Sequence, residues 1–215
     1  MGSNMSGKLI VFEGVEGSGK TTQIQQTAAW LQSHCGKDRE VVVTREPGGT
    51  ILGRQIRQLL LDDSHSMSDR TELLLYGADR AEHVTSLIKP QLDRGNFVLC
   101  DRFTDSTIAY QGYGRGFDRS DIDSIDRLAT GGLQSDLTLW LDLDVTIGLK
   151  RVLVRGKPDR MERSTLDFHQ RVRLGYQELA NSYPNRIVRI DADRSPAVIQ
   201  TEIQAILTQM KWLTE

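Results

Sequence analysis

The sequence predicts an α/β domain with a central five-stranded parallel sheet, flanked by helices in three layers. Two patterns carry that expectation. Short apolar, β-rich runs recur at 9–12, 41–44, 97–100, 137–143 and 187–190. None alternates strictly with polar residues, as a strand with one wet face would, so each suits a parallel sheet covered on both sides. Between the runs lie stretches with helical spacing, clearest at 21–32, 51–61, 71–94 and 195–212. Strand and helix thus alternate along the whole length, which is the order of an α/β fold.

A chain of 215 residues is long enough to bury a full core as one large domain. No internal repeat, low-complexity tract or linker interrupts it, and the expected domain runs from 8 to 215. Residues 1–4 read as an expression-tag remnant, with the natural start at Met5, and take no part in the fold. Lysine and arginine number 27 against 29 aspartates and glutamates, a net charge of −2. A dedicated nucleic-acid or polybasic membrane binder would carry a basic excess, so neither partner is expected. Cys35 and Cys100 make no disulfide framework or metal spacing and are expected as reduced thiols. No apolar run approaches the ~18 residues of a membrane span, and no signal peptide precedes the first strand. A cytoplasmic protein is expected.

The first apolar run breaks into glycines at 11–23, VFEGVEGSGKTTQ. Gly14, Gly19, Lys20 and Thr21 fit the pattern Gly-x-x-x-x-Gly-Lys-Thr, between a strand and a helix as that pattern requires. Glycines let successive backbone N–H groups turn inward on one anion, and the helix N-terminus adds partial positive charge. Gly14, Val15, Glu16, Gly17, Ser18, Gly19, Lys20, Thr21 and Thr22 are therefore the candidate triphosphate loop. Lys20 would reach the β- and γ-phosphates, with the Thr21 hydroxyl on Mg²⁺. The fold expected is of the P-loop NTPase type. The chain has no Asn-Lys-x-Asp to read guanine and no Asp-x-x-Gly to sense a γ-phosphate, which excludes a GTPase. A small phosphotransferase with a second, acceptor site remains.

Three stretches point to that acceptor site. TREPGGT, 44–50, places Arg45 and a Pro47-Gly48-Gly49 turn at the end of the second strand, where ligands bind in open α/β sheets; a plain turn would account for the same residues. Tyr76 and Arg80 are one helical turn apart, so an aromatic plane and a guanidinium share a face and can hold a base; a core aromatic is the alternative. Asp101-Arg102 ends a buried strand, where an aspartate can hold Mg²⁺ and an arginine can clamp a phosphate through its fork of donors. A helix-start pair without a role is the alternative there. A basic segment at 151–163, RVLVRGKPDRMER, is broken by Gly156 and Pro158; a solvated face would look the same.

Taken together, these motifs resemble the bacterial thymidylate kinases (dTMP kinases), from about Lys8 to the final helix. The residues that carry the resemblance are Glu13-Gly14-x-Glu16-Gly17-x-Gly19-Lys20-Thr21, Thr44-Arg45-Glu46-Pro47-Gly48-Gly49, Tyr76-x-x-x-Arg80 and Asp101-Arg102-Phe103. To these add Ser106-Thr107-x-Ala109-Tyr110-Gln111-Gly112 and Asp159-Arg160-x-Glu162. The resemblance implies transfer of the γ-phosphoryl group of ATP to dTMP, giving dTDP and ADP on the way to dTTP, by a homodimer using Mg²⁺.

It also implies a role for each residue. Tyr76 stacks on thymine, Arg80 bonds the base's carbonyl edge, and Thr107 lies along that edge with Ser106 and Gln111 beside it. Tyr110 sits under the deoxyribose, and Glu46-Pro47 is a cis peptide lining the pocket. Arg45, Arg57 and Arg102 gather round the dTMP phosphate, while Glu13 and Asp101 organise Mg²⁺. The basic segment, about 151–165, is a small mobile lid. Among its cations, Arg151, Arg155, Lys157, Arg160 and Arg163, Arg155 closes on the phosphoryl group in transfer and Arg151 belongs to the ATP side. The glycine loop carries Gly17 and Ser18 where an arginine would otherwise stand, so the lid must supply that charge. Four positions depart from the family pattern. Tyr76 replaces the commoner Phe, Arg54 stands where an acidic residue is expected, and Ser164-Thr165 thin the acidic residues after the lid.

Overall fold

The computed structural model describes residues 6–62, 64, 66–156 and 158–213. Residues 1–4 and Lys157 of the sequence reading lie outside that set. Strands β1 (Lys8–Glu13), β2 (Val41–Arg45), β3 (Phe97–Asp101), β4 (Leu137–Asp142) and β5 (Ile187–Asp191) pair in the order β2-β3-β1-β4-β5. Every neighbouring pair is parallel. The five-stranded parallel sheet expected from the apolar runs is therefore present, with helices covering it.

Successive side chains of a strand leave on opposite faces, and the core divides accordingly. Leu9 and Val11 of β1 join Val98 and Cys100 of β3 in one cluster, while Ile10 and Phe12 join Phe97 and Leu99 in the other. Both faces are dry at β1, β3 and β4, which is why those strands do not alternate, while the edge strands β2 and β5 keep exposed positions. Each strand instead changes character at its last residue: Glu13, Arg45, Asp101, Asp142 and Asp191 all stand at the C-terminal edge. Parallel pairing brings these ends to one rim, with Arg45 opposite Asp101 and Phe12 opposite Asp101 in register. The site is built there.

The helices are α1 (Lys20–His34), α2 (Ile51–Leu61), α3 (Asp69–His83), α4 (Lys89–Asp93), α5 (Thr104–Thr107), α6 (Arg119–Thr130), α7 (Val145–Arg155), α8 (Leu166–Ser182) and α9 (Pro196–Gln209). Their starts are capped as side-chain chemistry dictates. Thr50, Ser68, Thr165 and Ser195 each accept a hydrogen bond from a backbone N–H in the first turn of α2, α3, α8 and α9. The spacing over 71–94 predicts one helix, but α3 passes through a π-helical turn at Val84–Ile88 before α4 resumes. Pro90 explains the break in register: it has no N–H and its ring would strike the carbonyl four residues back. A second π-helical stretch, Ile108–Gly114, follows α5. Helices α6, α7 and α8 complete the set.

Candidate active site

The glycine loop leaves β1 at Glu13 and enters α1 at Lys20. Gly14, Gly17 and Gly19 have φ of 142°, 71° and 91°, values that side chains disfavour. Space matters as much as torsion at Gly17, where an added Cβ would lie 2.3 Å from the carbonyl oxygen of Gly148. A Cβ added at Gly148 would in turn lie 2.2 Å from Glu16 O. This mutual approach seats α7 directly on the loop, and α7 carries Arg151 and Arg155. Lys20 is buried and curls over the loop, donating to Gly14 O at 3.0 Å and Val15 O at 3.2 Å. Burial, then Arg102, pushes its pKa down, against the pull of Glu16. Val15 itself turns its side chain into the core, so it serves the loop by its backbone.

Gly17, Ser18, Gly19, Lys20, Thr21 and Thr22 line one cavity with Arg45, Asp101, Arg151 and Arg155. A second cavity opens beside it, lined by Pro47, Arg57, Tyr76, Arg80, Ser106, Thr107, Tyr110 and Gln111. Glu16, Glu46, Arg57, Arg102 and Asp159 line both. Triphosphate loop and expected base pocket thus open onto each other.

Arg102 stands at the junction. Its φ of 71° is in the left-handed region, a conformation costing a non-glycine residue ~1–3 kcal/mol and held only by a firm surround. That surround is specific: Arg102 donates to Glu16 Oε1 at 2.6 Å, Tyr176 Oη at 3.1 Å and Ser106 Oγ at 3.3 Å, with its guanidinium 4.8 Å from the Tyr110 ring centre. Glu16 also accepts from Tyr110 Oη at 2.8 Å. Burial alone would raise the Glu16 pKa, but Arg102, Lys20 and the Tyr110 hydroxyl hold it at about 2. Arg57 donates to Pro47 O at 2.9 Å, and its pKa is lowered by burial and then by Arg45 nearby. Arg45 is exposed and lines the loop side of the junction.

On the second cavity's far wall, Arg80 is fixed by a buried network. Its Nε donates to Glu46 Oε2 at 2.8 Å, its Nη1 to Thr107 Oγ1 at 2.6 Å and to Asp126, and its Nη2 to Phe103 O at 2.9 Å. His83 lies 2.9 Å from Glu46 Oε1 and 2.6 Å from Thr44 Oγ1. The Glu46-Pro47 peptide is cis, as the resemblance implies. Tyr76 lines the cavity with its phenol pKa raised, by burial and then by Glu72.

Glu13 and Ser106 stand apart from the other expected site residues. Glu13 does not line either cavity. Its Oε1 accepts from the Phe103 and Ser106 N–H groups at 2.9 and 3.1 Å, and its Oε2 from Ser106 Oγ at 2.6 Å and Tyr176 Oη at 2.7 Å. Burial lifts its pKa to about 7 despite Arg102. With both oxygens engaged by protein donors it secures the turn that carries Arg102. The Ser106 hydroxyl is likewise committed to Glu13, so Ser106 borders the cavity without a free proton to offer. Of the residues expected at the metal, Asp101 and Thr21 line the loop cavity. Asp101 Oδ1 is buried without a protein partner beside the loop cavity.

Arg155 reaches the loop cavity but pairs with Glu162, and 64% of its side chain is exposed. Arg151 donates to Gly17 O at 3.3 Å. Arg160 is held elsewhere, on Glu72 Oε2 at 2.6 Å and Leu60 O at 2.7 Å. Sequence reasoning passed over Glu72, Tyr176 and Gly148. Only Glu72 left a signal: with Tyr76 and Arg80 it lies at i, i+4, i+8 on one face of α3.

A family model described as Thymidylate kinase matches residues 12–203. The chain belongs to the thymidylate kinase family. It is 55% identical over 218 residues to the thymidylate kinase of Trichodesmium erythraeum (strain IMS101), covering 95% of this chain and 96% of that one. With the thymidylate kinase of Nostoc punctiforme (strain ATCC 29133 / PCC 73102) it shares 55% over 206 residues, 94% and 96% of the two chains. A crystal structure of thymidylate kinase from Ehrlichia chaffeensis superimposes with a TM-score of 0.76 at 37% identity, covering 94% of this chain and 99% of that one. The thymidylate kinase fold therefore extends over nearly the whole chain, both cavities included.

Proposed function

We propose that the chain, as an ATP-dependent dTMP kinase, holds ATP on the glycine loop and dTMP in the second cavity, phosphate to phosphate. The observation that carries this is the junction, where Arg102 borders both cavities and a triphosphate and a monophosphate would meet in line. Phosphoryl transfer asks mainly for positioning and charge neutralisation. An acceptor phosphate with a second pKa near ~6 is largely dianionic at neutral pH and needs no general base. Backbone N–H groups of 14–22 and Lys20 hold the donor. Arg45, Arg57 and Arg102 hold the acceptor phosphate, Tyr76 and Arg80 with Thr107 and Gln111 hold thymine, and Tyr110 underlies the sugar.

The residues present fit Mg²⁺. Asp101 Oδ1 is an unpaired buried carboxylate oxygen near the Thr21 hydroxyl, and such an ion takes the rest of its shell from phosphates and water. Held there, Mg²⁺ would supply positive charge against the donor phosphates. Segment 151–165 acts as the lid: Arg155 exchanges Glu162 for the transferring phosphoryl group and closure excludes water. The chain from 8 to 215 works as one domain and pairs as a homodimer through α2, α3 and α6. Exposed Leu59, Leu74 and Leu128 on those neighbouring helices support that pairing. No described helix is long and apolar enough to cross a membrane, and two free thiols agree with a cytoplasmic setting. ADP release by the purified protein, measured with ATP and each of dTMP, dUMP, dCMP, dGMP and AMP, tests the assignment. Turnover that depends on dTMP is expected; ADP release indifferent to the acceptor would refute it.

A further inference from the structure

We propose that Glu72, which touches no substrate, decides which base the acceptor site takes, by holding the Gln111 amide with its oxygen toward the cavity. The inference rests on the dTMP-kinase reading above and concerns how that site selects its substrate. Glu72 lies in the first turn of α3 and is 0% exposed; Gln111, on the π-helical stretch, is 2% exposed. Glu72 Oε1 accepts from Gln111 Nε2 at 2.9 Å and Arg115 Nε at 3.2 Å. Its Oε2 accepts from Arg115 Nη2 at 3.0 Å and Arg160 Nη2 at 2.6 Å. Burial alone would raise its pKa, yet Arg115, Gln111 and Arg160 together bring it below the usual carboxylate value. An ionised carboxylate only accepts hydrogen bonds. It therefore commands the NH₂ end of the amide and turns the carbonyl end of Gln111 the other way. No described donor reaches that oxygen, and Gln111 lines the cavity.

The neighbouring wall offers the opposite polarity. Arg80 has five N–H donors, and four are engaged by Glu46, Thr107, Asp126 and Phe103. One donor, on Nη2, is left. The wall thus presents an acceptor on Gln111 and a donor on Arg80. A pyrimidine with a 4-keto oxygen and an N3–H matches both. Cytosine, with an unprotonated N3 and a 4-amino group, opposes both, and a buried site built for one pattern rejects its inverse strongly. Glu72 is a positioning residue, and the ligand class it selects is the N3–H, 4-keto pyrimidine nucleotides.

Glu72→Gln gives the test. Arg115 and Arg160 both need an acceptor at the Oε2 side, which would orient the new amide with its NH₂ toward Gln111. Gln111 must then turn its own NH₂ to the cavity. Measured as kcat/KM on the full chain, the dTMP to dCMP ratio is expected to fall ~10-fold or more, through a raised KM for dTMP. The dTMP to dUMP ratio is expected to hold, because both bases carry N3–H, and Glu72→Asp is expected to keep the wild-type ratios. Any effect through Arg160 and the lid falls on all acceptors alike and cancels in the ratio. Equal losses on dTMP, dUMP and dCMP would overturn the proposal and leave Glu72 a structural residue. If Glu72→Gln does not fold, Gln111→Met decides: an unchanged dTMP to dCMP ratio overturns the proposal, a fall of similar size upholds it. A wild-type protein unable to turn over dTMP would instead remove the functional reading on which the inference rests.

Discussion

The donor side of the site and the acceptor side are made in different ways. The donor side is built chiefly on one contiguous stretch, 14–22, whose backbone N–H groups, lysine and threonine are joined by Asp101 and by Arg151 and Arg155 of α7. The acceptor side is drawn from the turn after β2, from α2, α3 and α5, from the π-helical stretch and from the 158–163 turn. Its side chains are locked by buried charges: Arg80 on Glu46 and Asp126, Glu46 on His83, Gln111 on Glu72. A triphosphate is recognised by any ring of inward dipoles, so a flexible local loop suffices. A particular base needs donors and acceptors fixed in direction, which only a packed network supplies.

The largest effects should separate the two sides. Lys20→Ala is expected to lower kcat by ~10²–10³-fold or more while circular dichroism and Tm stay at wild-type values, since the lysine bonds only its own loop. An unfolded variant would make Lys20 structural. Arg155→Ala is expected to lower kcat and kcat/KM for ATP together by ~10²-fold with both KM values nearly unchanged, and Arg155→Lys to recover part of that. Arg163→Ala is the control; a wild-type kcat in Arg155→Ala would return the basic segment to a solvated face. Arg102→Ala comes next, with a lower kcat, a raised KM for dTMP and little change in the KM for ATP. A shift confined to ATP would erase the division between the sides.

The smallest effect is on stability and belongs to the acceptor side alone. Asp79 supports the Pro47-Gly48 turn by accepting from Gly48 N–H at 3.0 Å, while its Oδ2 is buried without a partner. Burial, then Glu46, raises its pKa from 3.8 to about 6. A carboxyl raised in this way favours the fold below pH 4 and loses that contribution as pH climbs through 6. Asp79→Asn is therefore expected to gain on wild type between pH 4 and 7, by as much as ~3 kcal/mol for a shift of about two units. A difference in Tm that stays flat over that range would show that Asp79 ionises freely.

What was legible in the sequence follows the same split. The loop could be read because its geometry is local, and the sheet because strands buried on both faces leave unbroken apolar runs. Tyr76 and Arg80 could be read because a helix turn places them together. The surroundings of Glu13 were hidden for the opposite reason. A carboxylate at a strand end beside the loop looks like a metal group, and the partners that occupy it, Ser106 and Tyr176, come from helices far along the chain. Glu72 went unnoticed because its meaning depends on Gln111, Arg115 and Arg160, which meet it only in the fold. Arg155 was named from the sequence, but its pairing with Glu162 was not, because a glycine and a proline separate the two.

The central claim is that phosphate passes across the junction from one cavity to the other. Phosphorus NMR of ATP and dTMP incubated with the purified protein and Mg²⁺ tests it most directly. Equal accumulation of ADP and dTDP, with no free phosphate and no reaction when dTMP is omitted, is the predicted result. ADP appearing with inorganic phosphate in place of dTDP would contradict it.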